Sequence, residues 1–213
     1  MRTAVIAASG LMIYAAWYSS NALAPSLDAA TVSNDLSNAL NPITDFLDYA
    51  TGGILKLSNM RQVSEADLQN KNVQAMLRVI RTGEGTNDAN GYRRIFGGQL
   101  FTSYADHPRV SVTKNGYTST AAGAYQAIIS TWDETAAIMG LKDFSPASQD
   151  LYAVGRIAAR GALDDVKAGR FSVAIAKIAQ EWASMPGSPY GQPVITLDKA
   201  KQVFASNGGA IYA

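Results

Sequence analysis

Residues 66–86 have the sequence ADLQNKNVQAMLRVIRTGEGT, in which a helical pattern runs directly into a short glycine-rich segment. Apolar side chains recur three and four residues apart across 66–82, which is the spacing of one buried helix face. These side chains are Leu68, Val73, Met76, Leu77 and Ile80. Gly83 is a typical C-terminal cap for such a helix. The stretch therefore predicts a helix over 66–82 that opens a folded domain and ends beside Glu84.

Further helices and one small β region follow this segment. Residues 92–121 contain short β-like runs, and Asn115-Gly116 within them is a favoured two-residue hairpin turn. Ser145-Pro146 predicts the start of a helix that ends at Gly161, because a capping serine precedes a proline at the first helical position. The other helical patterns cover 125–139, 172–184 and 197–206. The predicted fold class is α+β, mostly helical with a small β-hairpin region, in a domain spanning 66–213.

The chain before this domain predicts a membrane segment and a tether. Residues 3–24 contain no charged side chain, and as a helix they would rise about 33 Å, enough to cross a bilayer. The segment ends in a small-x-small signal cleavage pattern, but Pro25 directly after it disfavours cleavage. We interpret 1–24 as an N-terminal transmembrane helix with Trp17 at the membrane interface, and a cleaved signal peptide is the alternative. Residues 25–65, rich in Ser, Asn, Asp and Ala, predict a linker.

Composition narrows the chemistry of the protein. The chain has no cysteine, which excludes disulfides, thiolate metal sites and cysteine nucleophiles. His107 is the only histidine, so a multi-histidine metal site is excluded and no metal or other cofactor is expected. The formal net charge is +1, which argues against nucleic acid as the partner. Residues 68–213 hold 15 basic and 11 acidic side chains, a balance that suits an anionic polymer or an ordinary solvated surface.

Glu84 is the main candidate for a reactive group. It lies between Gly83 and Gly85, which allow a ligand to approach the backbone closely. The negative potential at the C-terminal end of a helix, and shielding from water, would both raise the pKa of its carboxyl group. A raised pKa is what a general acid needs near neutral pH. A solvated surface glutamate is the alternative interpretation.

Several stretches in a fixed order together resemble one family. They include Gly83-Glu84-Gly85-Thr86, Gly97-Gly98-Gln99-Leu100-Phe101-Thr102, Tyr104-Ala105-Asp106-His107-Pro108-Arg109, Ser119-Thr120, Gly123-Ala124-Tyr125-Gln126, Ser148-Gln149-Asp150, Trp182-Ala183-Ser184 and Tyr190-Gly191-Gln192. Residues 70–193 thereby resemble the lambda-type phage endolysins, a lytic transglycosylase family with a lysozyme-like fold. The resemblance implies an enzyme that degrades peptidoglycan without a metal.

The resemblance also implies the residues of the site. Glu84 fills the catalytic position of the family. The residues that would contact the glycan are Ser119, Thr120, Tyr125, Gln126, Tyr190 and Gln192. The family usually has Arg at the position of Ala124 and Gly at that of Ala121 or Ala122, and these departures concern glycan contacts rather than the acid.

The expected reaction is cleavage of the bond between N-acetylmuramic acid and N-acetylglucosamine to give a 1,6-anhydro-muramic end. Ordinary glycosidases need two carboxylates, and Asp88 is the nearest second candidate, although it reads more simply as a residue that caps a turn. We expect a structural role for His107 and core positions for Trp132 and Trp182. The alternatives are a muramidase that uses water and a membrane-tethered structural or glycan-binding virion protein with a degenerate site.

Three biological settings are compatible with the sequence. Phage lysis, wall penetration during entry and bacterial wall remodelling all fit an enzyme tethered through 3–24. The catalytic domain would then lie in the periplasm or in a phage particle, or be secreted if the segment is cleaved. Virion or lysis-system proteins would be its protein partners.

Overall fold

The structure is a computed structural model that describes residues 55–212. Two short 310 helices, Leu57–Gln62 and Glu65–Gln69, precede the first α-helix, and a 310 turn, Gly91–Arg93, follows it. The longer elements are α1 (Lys71–Gly83), β1 (Val112–Lys114), β2 (Tyr117–Ser119), α2 (Ile129–Met139), α3 (Pro146–Ala159), α4 (Leu163–Lys167), α5 (Phe171–Ile178) and α6 (Leu197–Ser206). The described part is therefore mostly helical with one two-stranded sheet, as the sequence predicts.

Helix α1 begins at Lys71, five residues later than predicted. The side chain of Asn70 accepts hydrogen bonds from the backbone N–H groups of Asn72 and Val73, which starts a new helix at this point. The preceding 310 helix has its own cap, because Asp67 accepts the backbone N–H of Ser64 at 2.9 Å. The predicted helix over 66–82 is thus two helices separated by a capping asparagine.

The hairpin forms at the predicted dipeptide. Strands β1 and β2 are antiparallel, with Val112 opposite Ser119 and Lys114 opposite Tyr117. Asn115 and Gly116 have φ angles of 51° and 79°, the left-handed conformation that a type I′ hairpin turn requires at both positions. Elsewhere in 92–121 the structure has only isolated bridges, so the sheet is limited to this hairpin.

Two of the remaining helices differ from their predicted bounds. Helix α2 begins at Ile129 rather than 125, because Ala122 and Ala127 exchange backbone hydrogen bonds of 2.9 Å and close a turn there. Helix α5 ends at Ile178 rather than 184, where the Ile178 carbonyl accepts the N–H of Glu181 at 2.8 Å in a tighter turn and that of Trp182 at 3.1 Å. Helix α3 has the predicted Ser145 cap, and α6 has the predicted bounds.

Residues 57–62 belong to the packed domain rather than to the predicted linker over 25–65. Met60 is fully buried, and the N–H of Lys56 donates to the carbonyl of Ala159 at 2.8 Å, at the end of α3. The rest of that linker and the predicted transmembrane helix over 1–24 lie outside the described residues. Within 55–212, no helix is both long and apolar enough to span a bilayer.

The core lies between α1, α3, α5 and α6. Trp132 packs edge-on against Phe144, with ring centroids 4.6 Å apart, and is 2% exposed. Trp182 is 4% exposed, and its indole Nε1 donates to the carbonyl of Tyr125 at 3.2 Å. Both tryptophans therefore occupy the core positions predicted for them, and Trp182 fixes the backbone beside the cleft described next.

Candidate active site

A cleft of about 460 Å³ opens between the end of α1 and the hairpin. Its walls are the loop after α1, the turn containing Gly97-Gly98, the hairpin and the segment before α2. The residues that line it are Glu84, Arg94, Ile95, Phe96, Gly97, Gly98, Lys114, Asn115, Tyr117 and Gln126. Among the residues lining this cleft within the described chain, Glu84 is the only carboxylate.

Glu84 follows the last residue of α1, as predicted. Its N–H still donates to the carbonyl of Ile80 at 2.9 Å, so the helix geometry fixes its backbone. The chain turns one residue later than predicted, at Gly85, which has a φ of +66°, whereas Gly83 is the last helical residue. A Cβ at Gly83 would lie 2.6 Å from the Oγ of Ser184, so this glycine is needed for close packing rather than for capping.

Within the described residues, the carboxyl group of Glu84 accepts one side-chain hydrogen bond, from the hydroxyl of Ser184. The Oγ of Ser184 donates to Oε1 at 2.6 Å. Burial of the carboxyl raises the pKa of Glu84 to about 7, and the bond from Ser184 opposes this rise only in part, because it stabilises the charged form. A substantial fraction of Glu84 is therefore protonated near neutral pH, which suits a general acid.

The loop that carries Glu84 is held from two sides. Thr86 is fully buried, and its hydroxyl donates to the carbonyl of Ala124 at 2.5 Å. The guanidinium of Arg81 donates to the carbonyls of Thr86 and Asp88 at 3.2 and 3.3 Å. These bonds hold the loop that carries Glu84 between α1 and the segment before α2.

Asp88 has the structural role that the sequence favoured. Its Oδ1 accepts the backbone N–H of Asn90 at 2.8 Å, and its Oδ2 pairs with Arg94 at 2.6 Å. Both carboxylate oxygens are thus occupied by a turn and by an ion pair. Asp88 is not among the residues that line the cleft.

Of the predicted pair, Tyr125 lies in the core and Gln126 lines the cleft. Gln126 lines the cleft, and its Nε2 donates to the carbonyls of Gly123 and Arg94 at 2.9 and 3.2 Å. Its φ of 47° is a left-handed conformation, a strained geometry that is common at functional sites. Tyr125 is only 3% exposed, and its hydroxyl donates to Asp150 at 2.6 Å. Tyr125 is therefore a buried residue that is not part of the cleft lining.

The other four predicted contact residues are not among the residues that line the cleft. The Oγ of Ser119 accepts the N–H of Ala121 at 3.1 Å, and the Oγ1 of Thr120 accepts the N–H of Ile129 at 3.2 Å. These two bonds order the chain between the hairpin and α2. The hydroxyl of Tyr190 donates to the carbonyl of Gln180 at 2.8 Å. Gln192 follows on the same loop and is partly exposed.

Three functional candidates were not found by the sequence reasoning. Ser184 comes to Glu84 from 100 positions away in the chain, a separation that no local pattern reports. Lys114 and Tyr117 line the cleft from the hairpin. This pair could have been predicted from the Asn115-Gly116 dipeptide, because the two residues that flank a two-residue turn lie opposite each other.

His107 is a structural residue, as expected. Its Nδ1 accepts the N–H of Arg109 at 3.1 Å, which leaves Nε2 to donate to the carbonyl of Ala127 at 2.9 Å. Burial lowers the pKa of the imidazole, so the neutral ring is favoured. Within 55–212, no cluster of three or more His, Asp or Glu side chains is arranged to hold a metal ion.

Comparisons with known proteins agree on one family. Residues 74–211 match the family model described as endolysin. The endolysin of Escherichia phage lambda is 41% identical over 149 residues, covering 67% of this chain and 94% of the relative. The endolysin of Escherichia phage P2 is 37% identical over 155 residues, covering 65% and 94%.

Solved structures agree with the sequence relatives. Bacteriophage lambda lysozyme in complex with a chitohexasaccharide has a TM-score of 0.64 and 39% identity, covering 67% of this chain and 97% of that one. A second structure of lysozyme from bacteriophage lambda gives a TM-score of 0.60 and 38% identity over the same shares. The predicted lysozyme-like fold is thereby confirmed.

Proposed function

The chain belongs to the lambda-type phage endolysin family, and from this premise we propose that it is a peptidoglycan lytic transglycosylase. Its substrate would be the β-1,4 bond between N-acetylmuramic acid and N-acetylglucosamine in bacterial glycan strands. Its product would end in 1,6-anhydro-N-acetylmuramic acid. No metal or other cofactor takes part in the proposed reaction.

Glu84 carries both proton transfers in this reaction. Its protonated carboxyl donates a proton to the glycosidic oxygen as the bond from that oxygen to C1 of the muramic acid breaks. The C6 hydroxyl of the same sugar forms the new bond to C1 and gives its proton to the Glu84 carboxylate. The acid is thereby regenerated, and no water molecule is consumed.

One observation carries the proposal: Glu84 is the only carboxylate that lines the cleft within the described chain. A hydrolase of the ordinary type places a second carboxylate across the scissile bond, as base or as nucleophile. The nearest candidate, Asp88, is held by Arg94 and by a turn. An internal sugar hydroxyl as nucleophile removes the need for that second group.

Product analysis on purified peptidoglycan tests the proposal. We expect the parent protein to release fragments with anhydro ends, and Glu84→Gln to lower the rate by at least about a hundredfold because the general acid is lost. Glu65→Gln is the matched control, since it removes an exposed carboxylate on the 310 helix before α1. Reducing ends would instead indicate a muramidase that uses water, and an unchanged rate for Glu84→Gln would overturn the role of Glu84.

We propose that the enzyme acts in host lysis and that its catalytic domain lies in the periplasm. Residues 3–24 would anchor the chain in the inner membrane, since they are uncharged and long enough to cross it. Fractionation of cells that express the full chain tests this placement. We expect the protein in the membrane fraction, and recovery in the soluble periplasmic fraction would indicate a cleaved signal peptide.

A further inference from the structure

The hairpin presents a tyrosine and a lysine side by side in the cleft. Lys114 and Tyr117 are direct cross-strand partners, so their side chains project from the same face of the sheet. Both line the cleft, and Tyr117 is 45% exposed although it is a large aromatic residue. On the opposite face, the hydroxyls of Thr113 and Thr118 are 2.8 Å apart. The pair therefore meets whatever occupies the cleft.

The position of this pair is fixed by the turn beneath it. The Nζ of Lys114 donates to the carbonyl of Gly97 at 3.2 Å. A Cβ at Gly97 would lie 3.2 Å from the side chain of Val112, so the glycine lets the hairpin approach this turn closely. The hairpin is thus held over the Gly97-Gly98 turn.

The ammonium of Lys114 has no acidic partner in the described part of the chain. Its one hydrogen bond is to the Gly97 carbonyl, and it takes part in no ion pair there. The other cation of the cleft, Arg94, is paired with Asp88. Glu84 does not offset the charge when it is protonated, since burial raises its pKa to about 7. Lys114 therefore places on this wall of the cleft a positive charge that has no ion-pair partner among the described residues.

We propose that Lys114 and Tyr117 form a subsite that selects muramic acid residues by their acidic substituent. The proposal rests on the proposed function and names the part of the substrate that is read. The ring of Tyr117 stacks on a sugar face, and the ammonium of Lys114 binds a carboxylate carried on the lactyl ether of the muramic acid. This selection favours muramic acid over N-acetylglucosamine, which has no acidic group.

The carboxylate has two chemical sources, which soluble glycans can separate. In peptide-free strands the lactyl group ends in its own carboxylate, whereas in peptide-bearing strands that carboxyl is an amide and the peptide supplies carboxylates further out. Chitohexaose, a polymer of N-acetylglucosamine, has neither. These three glycans are the probes.

The test measures the affinity of full-length protein carrying Glu84→Gln, so that the glycans are not consumed. We expect Lys114→Gln to weaken binding of at least one acidic glycan by about two- to fivefold, the size of an exposed ion pair. Its affinity for chitohexaose should stay at the starting value. Lys199→Gln is the matched control, because it removes an exposed lysine on α6, which does not line the cleft. Raised salt should abolish the difference.

The pattern of losses assigns the source of the carboxylate. A loss on peptide-free strands assigns the lactyl carboxylate, and a loss on peptide-bearing strands alone assigns the peptide. If Lys114→Gln loses the same affinity for all three glycans, or loses none for either acidic glycan, the proposed role of the Lys114 charge is wrong. Tyr117→Ala should weaken the binding of all three glycans, whereas Tyr117→Phe should weaken none. If Tyr117→Ala keeps the parental affinity for chitohexaose, the proposed stacking is wrong.

Failure of this inference is separable from failure of the proposed function. Binding measures the role of Lys114 without any chemistry, whereas the Glu84→Gln comparison on peptidoglycan measures the chemistry alone. If Glu84→Gln cleaves glycans as fast as the parent, the proposed mechanism fails while the selectivity can still be measured in binding at low temperature. If Glu84→Gln is inactive and Lys114→Gln binds all glycans as before, only the subsite is refuted.

Discussion

At the scale of single residues, the proposed chemistry depends on the hydrogen bond between Glu84 and Ser184. Burial favours the protonated carboxyl, and one short bond from Ser184 orients it. Gly83 makes this contact possible, because any side chain there would collide with Ser184 and Met185. Within the described residues, the pKa of Glu84 is therefore set by burial, which raises it, and by the Ser184 hydroxyl, which lowers it.

Replacing Ser184 by alanine should change the pH dependence of the reaction. Under the proposed function, the rate of the parent falls above about pH 7 as Glu84 loses its proton. The bond from Ser184 stabilises the charged carboxylate, so its removal raises the pKa of Glu84 and moves this alkaline limb to higher pH. The maximal rate should fall by roughly tenfold to a hundredfold, because the acid is no longer oriented. Rates on soluble glycan strands from about pH 5 to about pH 9 give both quantities.

The matched control for this change is Ser206→Ala, at an exposed serine of α6. This variant should keep the parental rate and profile. A Ser184→Ala protein whose alkaline limb stays in place would show that the hydroxyl does not control the protonation of Glu84.

At the scale of elements, the 310 helix Leu57–Gln62 extends the domain beyond the family match. That match begins at residue 74, yet Met60 is fully buried, and the side chain of Asn59 donates to the carbonyl of Ala158 at 3.2 Å. This segment packs on α2 and α3, away from the residues that line the cleft. It therefore ties the N-terminal part of the chain to the catalytic domain without entering the site.

Replacing Met60 by alanine should destabilise the domain and spare the activity. We expect a loss of about 2–5 kcal/mol in the free energy of unfolding, because the change leaves a cavity in a fully buried position. Urea unfolding measures this loss, with Ser58→Ala as the control at an exposed position on the same 310 helix. Equal stabilities of the two variants would contradict the packing of this segment.

At the scale of the whole molecule, one buried ionic network joins α3 to the segment after α5. Glu181 accepts bonds of 2.7 and 3.1 Å from Arg156 and one of 2.9 Å from Arg160. Arg156 also pairs with Glu134 on α2 at 2.7 Å. Trp182 and Ser184 lie in the same segment as Glu181. The network therefore positions the segment that contacts Glu84.

Replacing Glu181 by glutamine should destabilise the fold by about 3–5 kcal/mol at neutral pH, because buried Arg160 loses its counter-charge and buried Arg156 keeps only the partly exposed Glu134. Burial alone would raise the pKa of Glu181, but Arg156 and Arg160 outweigh it and hold the pKa below its usual value of 4.5. The stabilisation by the charged form is therefore fully present above about pH 4.5 and is lost as the pH falls through the folded-state value. The difference in the free energy of unfolding between the parent and Glu181→Gln should therefore become smaller at acidic pH.

Unfolding measured across this pH range checks the network, with Glu134→Gln as the comparison. Glu134 is 40% exposed, so its loss should cost no more than about 1 kcal/mol. If the loss of stability in Glu181→Gln does not depend on pH, the packing of Glu181 and not its charge stabilises the fold.

The sequence by itself determined the features that depend on neighbouring residues. The place of Glu84 at the end of a helix, the Ser145 cap of α3 and the Asn115-Gly116 turn follow from local backbone preferences, which act over a few residues. The family resemblance added the prediction that Glu84 is the catalytic acid. The bounds of α1 and α2 shifted because one capping asparagine and one closed turn outweighed the apolar spacing.

Only the tertiary structure decided which distant side chains meet in the cleft. Ser184 reaches Glu84 across 100 positions, and packing rather than local sequence brings those two segments together. Packing also turned Tyr125 into the core against Asp150 and left Tyr117 exposed in the cleft. Residue type alone cannot distinguish these two tyrosines, because the direction of each ring is set by the burial of the surfaces around it.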